Sequence, residues 1–245
     1  MSVNPIINEL QKLQWLDLSH PIHAGIPHFP AFSPLQTKLL FTVEKDGFYA
    51  NEYTIASQYG THLDAPIHFA PNTRALHEIQ AHEWVLPLYV IHKEQAVLEN
   101  PDYRLTIEDI LAFEAEHGKI TEGSFVAFAS GWSKRFDNPE AFYNRDDNGD
   151  THTPGWSLEA LQFLHEQRHV TAIGHETLDT DAAVDFRQHG DLIGERYWLS
   201  QNKYQVEVLN QLDKLPATGA IIFIGTPNIQ NGSGFNSRVI AAFPQ

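Results

Sequence analysis

His62, Asp64 and His68 lie within seven positions of one another in the segment Ile55–Phe69, which reads I-A-S-Q-Y-G-T-H-L-D-A-P-I-H-F. Imidazole nitrogen and carboxylate oxygen are donors that divalent cations accept, so this segment concentrates metal-ligand chemistry. In extended chain, residues i and i+2 project from one face; His62 and Asp64 can therefore point into one cavity while Leu63 packs behind them. Gly60 relaxes the backbone just before the pair and Pro66 stiffens it just after, leaving little freedom to lose on binding. His68 shares that side only if the turn at Ala65–Pro66 keeps the chain's direction. A histidine beside a metal but not bound to it suits proton transfer, because imidazole titrates near neutrality. The competing reading is three polar residues crowded into a surface turn.

A frame has to hold such a segment. Apolar runs rich in β-branched and aromatic residues predict strands at Val85–His92, Ser124–Ser130, Val170–His175, Ala220–Thr226 and Val239–Phe243. Thr106 and Asp109 have the spacing of a capping box, opening a helix that Gly118 ends. A second helix is expected from Ser157 toward Arg168, with Leu158, Leu161 and Leu164 on one face. A third, short helix is expected over Tyr204–Leu212. The pattern is α/β, a mostly β core with flanking helices, in one domain spanning 1–245 without linker or internal repeat.

The run Gly60–Phe69 resembles the signature of the cyclase family of metal-dependent hydrolases, which includes bacterial kynurenine formamidase and isatin hydrolase. Leu16-Asp-Leu-Ser-His-Pro-Ile22 is similar to that family's opening strand, and Tyr204–Leu212 to its distal acidic ligand segment. The resemblance implies a swivelling β/β/α fold and a divalent metal held by His62, Asp64 and the distal carboxylate Glu207. It implies His68 as acid/base. Two positions depart from the family pattern: Gln58 stands where the first motif residue is commonly histidine, and Glu195 stands where the formamidase branch has a second-metal histidine. Each is either a ligand or a group just behind the ligands. Their oxygen donors favour harder ions, so manganese should compete with zinc, and magnesium is possible.

The implied activity is hydrolysis of a small amide, lactam or ester by metal-activated water. Alternatives are an arylformamidase acting on N-formylkynurenine, or a non-catalytic metal-binding module of the same fold. Phe29, Trp198 and His175 are candidates for substrate contact, although large aromatics such as Trp132 and Trp156 are usually core. His175 and Asp179, at a predicted strand end, either line the pocket or satisfy a local turn. A homodimer or homotetramer is also implied, with Trp15, Phe29 and Phe32 as contacts between subunits.

Thirty-one acids against sixteen bases give a formal charge of −15, which disfavours nucleic acid and anionic membrane as partners and leaves a small molecule as the substrate. With no cysteine, thiolate metal sites, disulfides and cysteine nucleophiles are excluded together. No Gly-x-Ser-x-Gly elbow suggests a serine nucleophile. The N-terminal segment lacks the pattern of a signal peptide and no run reaches membrane-spanning length, so a cytoplasmic protein is expected. Asp146–Asp150 begins like a calcium loop but lacks its glycine and distal glutamate, and Gly232-Ser-Gly234 lacks the context of a phosphate loop; both read as turns.

Overall fold

The computed structural model describes residues 4–244; Met1–Val3 and Gln245, the ends of the expected domain, lie outside the described residues. The strands are β1 (Gln14–Asp17), β2 (Gln36–Phe41), β3 (Ala50–Thr54), β4 (His62–Asp64), β5 (Val85–His92), β6 (Arg104–Leu105), β7 (Phe125–Ala129), β8 (Gly155–Trp156), β9 (Ala172–His175), β10 (Tyr204–Glu207), β11 (Ala220–Gly225), β12 (Gly234–Asn236) and β13 (Arg238–Phe243). Nine of them form one mixed sheet in the order β1-β13-β11-β5-β7-β9-β10-β4-β12. Its centre, β5-β7-β9-β10, is parallel, and antiparallel strands flank it on both sides. Central strands covered on both faces read as continuous apolar runs, as Phe125-Val-Ala-Phe-Ala129 does with every residue buried.

Eight α-helices occur among the described residues: α1 (Asn4–Leu10), α2 (Val43–Asp46), α3 (Glu94–Glu99), α4 (Ile107–His117), α5 (Pro139–Tyr143), α6 (Leu158–Glu166), α7 (Ala183–His189) and α8 (Ile193–Ser200). The Thr106 hydroxyl accepts from Asp109 N while the Asp109 carboxylate accepts from Thr106 N, and Gly118 closes α4 at φ 89°, as expected. Ser157 caps α6, which packs Leu161 and Leu164 into the core with Trp156, Trp198 and Leu199. Each such fully buried leucine contributes about 1.5–3 kcal/mol. The opposite sheet face buries Leu63, Leu88, Tyr204, Val206 and Ile222 in a second cluster. None of the described helices is long and apolar enough to cross a membrane.

The segment Tyr204–Leu212 is not a helix. Tyr204–Glu207 is strand β10, Val208 turns at φ 55°, and a single 3-10 turn follows at Leu212–Lys214. The alternation Tyr-Gln-Val-Glu places Tyr204 and Val206 in the core and Gln205 and Glu207 on the other face, a period of two. Pairing with β9 and β4 on its two sides outweighs any local helical tendency. Outside the main sheet, β2 and β3 form an antiparallel hairpin with α2 at its tip, and this hairpin is exposed along most of its length.

Candidate metal centre

Strand register assembles the site. β4 and β10 pair antiparallel with Asp64 opposite Gln205 and His62 opposite Glu207. Since i and i+2 share a face, these four side chains form a block two strands wide and two residues deep, with Leu63 and Val206 turned into the core. β12 pairs on the other side of β4 with Gly234 opposite Asp64. A Cβ on Gly234 would lie 2.2 Å from the Leu63 carbonyl oxygen and 2.8 Å from Gln58 Nε2, so only glycine lets this strand close over the site.

His62 Nδ1 donates to the Gly60 carbonyl at 2.8 Å, which fixes the ring and frees Nε2 for a cation. That Nε2 lies 3.4 Å from Asp64 Oδ2 and 3.3 Å from Glu207 Oε2. One donor atom each from His62, Asp64 and Glu207 fall within 4.8 Å of one another, and the same holds for Asp64, His68 and Glu195. Asp64 belongs to both groups. His68 Nε2 is 3.8 Å from Asp64 Oδ1, and with 28% of its side chain exposed it is the member of the cluster that reaches solvent.

Glu195 is buried on α8, whose first turn is fixed by the buried Asp181 carboxylate accepting from Gly194 N at 2.7 Å and Glu195 N at 2.8 Å. A Cβ on Gly194 would press within 3.2 Å of both Asp181 oxygens, so the residue beside Glu195 has to be small. Gln58 is buried near Asp64 but is held by its own neighbours: its Oε1 accepts from Ser57 Oγ, and its Nε2 donates to Ser233 Oγ at 3.2 Å. Gly232-Ser-Gly234 is thus a working part of the site edge. The Asp146–Asp150 segment is an exposed turn closed on the Asp146 carboxylate by Asn148 and Asp150.

The electrostatics suit a divalent cation. Burial disfavours a charged His62, but Asp64 and Glu207 outweigh it and hold the ring well above its ordinary pKa. Burial likewise disfavours an ionised Asp64, yet His62 and His68 keep its carboxyl below the usual range. Burial and the charges of Glu207 and Asp64 push Glu195 well up. Asp179 is exposed as a residue, yet desolvation of its carboxyl and the charges of Glu207, Asp181 and Asp64 raise it to about 7. Asp64 Oδ1 and both ring nitrogens of His175 are buried without a hydrogen-bond partner. Converging carboxylates, a tautomer-fixed imidazole and orphaned buried donors fit a divalent ion bound by oxygen and nitrogen.

The expected substrate contacts divide differently. Trp198 is fully buried in the core and its indole N–H donates to the Tyr204 carbonyl at 2.9 Å, so it packs α8 against β10 and presents no surface to a substrate. Its place among core residues follows from the face of α8 opposite solvent. His175, also buried, stands beside Glu207 with Nε2 3.3 Å from Oε1, so it borders the candidate cluster from inside the fold. Phe29 is 53% exposed on a loop, edge-on to Phe32, and is not packed into the cluster. Sequence reasoning missed Gln205 and Asp181. The repeated spacing His62-x-Asp64 and Gln205-x-Glu207 was the available signal for the first of them.

A mixed sheet that brings His, Asp and Glu together in this way forms a candidate metal centre, and the relatives that share the fold make the chain a hydrolase. The chain belongs to the putative cyclase family, whose model matches residues 16–182. Isatin hydrolase of Roseibium aggregatum is 30% identical over 232 residues, covering 92% of this chain and 88% of that protein. The solved isatin hydrolase A from Labrenzia aggregata superposes over the whole of both chains with a TM-score of 0.92 at 29% identity. An isatin hydrolase bound to the product analogue thioisatinate gives the same TM-score at 26% identity, again over both whole chains. Kynurenine formamidase of Bacillus cereus is 26% identical over 120 residues, 46% of this chain and 57% of that protein.

Proposed function

We propose that the protein opens a small cyclic amide of the isatin type by hydrolysis, with His62, Asp64 and Glu207 holding one divalent cation and His68 moving the proton. The observation that carries this reading is the two-by-two block on β4 and β10, which converges three donors on one point with His68 at its accessible side. A cation bound there would polarise the scissile carbonyl and make water more acidic. His68 Nε2 accepts a proton as the water oxygen bonds to the carbonyl carbon. The carbon–nitrogen bond then breaks, and His68 returns the proton to the departing nitrogen, giving an amine and a carboxylic acid on one opened molecule, the acid then losing its remaining proton to solvent. Asp64, 3.8 Å from His68, steadies the imidazolium between these two transfers.

A cyclic amide is favoured over a formamide by the extent of likeness: isatin hydrolase aligns over most of this chain, and the formamidases over less than half. With two carboxylates and a single imidazole in the donor set of His62, Asp64 and Glu207, manganese should serve at least as well as zinc. A panel of isatin, N-formylkynurenine and simple aryl esters, each assayed with and without chelator, tests the substrate class. Chelator-sensitive turnover of isatin above the other two is expected; preference for the formamide would replace the lactam reading.

We further propose a homodimer or homotetramer. The β2–β3 hairpin exposes Leu39, Phe41, Phe48, Tyr49 and Tyr53, each more than 40% accessible, and Trp15 and Phe29 are half exposed. Large apolar side chains gathered on one projecting arm favour burial against a second copy.

A further inference from the structure

Gln205 is wholly buried at the centre of the cluster, and its chemistry differs from everything around it. Its Nε2 lies 2.9 Å from Glu207 Oε1, 3.0 Å from Glu195 Oε1 and 3.3 Å from Asp64 Oδ2. Its Oε1 accepts from Thr180 Oγ1 at 2.7 Å. Three carboxyl groups on three different elements, β4, α8 and β10, thus meet on one amide nitrogen, a point that favours a donor. Turning the amide over would set Oε1 against three carboxyl oxygens. Thr180 supplies the donor that the other end of the amide needs, which leaves the NH2 facing the cluster.

We propose that Gln205 is a positioning residue, which gathers Asp64, Glu195 and Glu207 into their cation-binding arrangement before the ion arrives and holds their orientation afterwards. The proposal rests on the reading that this cluster binds a divalent cation. A neutral amide suits the task because it attracts carboxyl oxygens without carrying a charge that would repel the ion. Glu195 depends on it most. The helix α8 brings Glu195 to the site from outside the sheet, and Gln205 is the side chain that ties its carboxyl to the strand ligands.

The test uses Gln205→Met, which keeps length and approximate volume but removes every hydrogen bond, and Thr180→Val, which removes only the hydroxyl behind the amide. Manganese binding to metal-depleted protein is measured by titration calorimetry, and thermal midpoints are recorded with and without manganese. Orienting partners of metal ligands typically govern affinity by tenfold to a hundredfold, and a loss of about that size is expected for Gln205→Met. For Thr180→Val the expected loss is about threefold to tenfold, the worth of one hydrogen bond. The rise in midpoint on adding manganese should shrink in both variants. Should Gln205→Met fail to fold, Thr180→Val decides. Midpoints lowered equally with and without manganese, at wild-type affinity, would reduce Gln205 to a packing residue and overturn the proposal. Wild-type protein that binds no manganese, zinc or magnesium would overturn the underlying metal reading, a result distinguishable from unchanged affinity in the variants.

Discussion

At the scale of single residues, His68 and Asp64 separate binding from chemistry. His68→Ala should retain the cation through His62, Asp64 and Glu207 while turnover falls about 10²–10⁴-fold, the usual worth of a positioned acid/base. Asp64→Ala should lose both, because Asp64 belongs to both donor groups. Metal content and kcat measured on the same samples check the pair, and intact turnover in His68→Ala would remove its role. A second residue-scale expectation concerns acid stability. His20 is buried and its ring stacks on Phe136 with centroids 3.7 Å apart; burial pushes its pKa from 6.5 down to about 4, against the opposing pull of Asp137, the Leu209 backbone and Asp17. The native state keeps His20 neutral where the unfolded chain protonates it. Its contribution is therefore full above the unfolded value, and about 3 kcal/mol is lost as pH falls through the window from 6.5 to about 4. Thermal midpoints of His20→Gln should fall less steeply across that window than those of wild type; parallel curves would contradict the assignment. Of the site itself, His62, Asp64 and His68 were legible because their types and spacing lie in one short segment. Gln205 was not, because nothing about an isolated glutamine announces three carboxylates drawn in from distant segments.

At the scale of elements, the strands of the core were readable from unbroken apolar runs, since full burial on both faces leaves no other composition possible for Phe125–Ala129. Helix α4 was readable from its cap. β10 was not readable as a strand, because its four residues acquire their conformation by pairing between β9 and β4, a contact separated from β4 by some 140 positions of chain. That misreading also hid the block of four side chains. Two element-scale outcomes follow. Trp198→Phe, which opens space between α8 and β10, should lower unfolding free energy by about 1–3 kcal/mol while KM stays near wild type, as for a packing residue. A raised KM at unchanged stability would restore Trp198 as a substrate contact. Gly234→Ala should destabilise the β4–β12 edge by about 1–3 kcal/mol or more, since its new methyl would meet the Leu63 carbonyl and the Gln58 amide. Denaturant unfolding of both variants, beside manganese affinity of the second, separates packing from ligand geometry.

At the scale of the whole molecule, a formal charge of −15 favours the approach of cations and disfavours polyanions. The exposed hairpin is the feature composition could not reveal, because apolar residues in a sequence do not say which of them the chain leaves uncovered. If β2 and β3 pack on a second copy, light scattering after size exclusion should give a multiple of 27.8 kDa, and Phe41→Glu with Tyr53→Glu should return the protein toward the monomer. A fully active wild-type monomer would overturn the assembly. The central claim, hydrolysis that depends on a cation held by His62, Asp64 and Glu207, is tested most directly by following isatin ring opening in metal-depleted protein as manganese is titrated back. Activity should be absent without metal and rise in step with occupancy of the site, at least as high with manganese as with zinc, and it should not return in Glu207→Ala at the same metal concentration. Turnover that survives metal depletion, or that returns equally in Glu207→Ala, would contradict it.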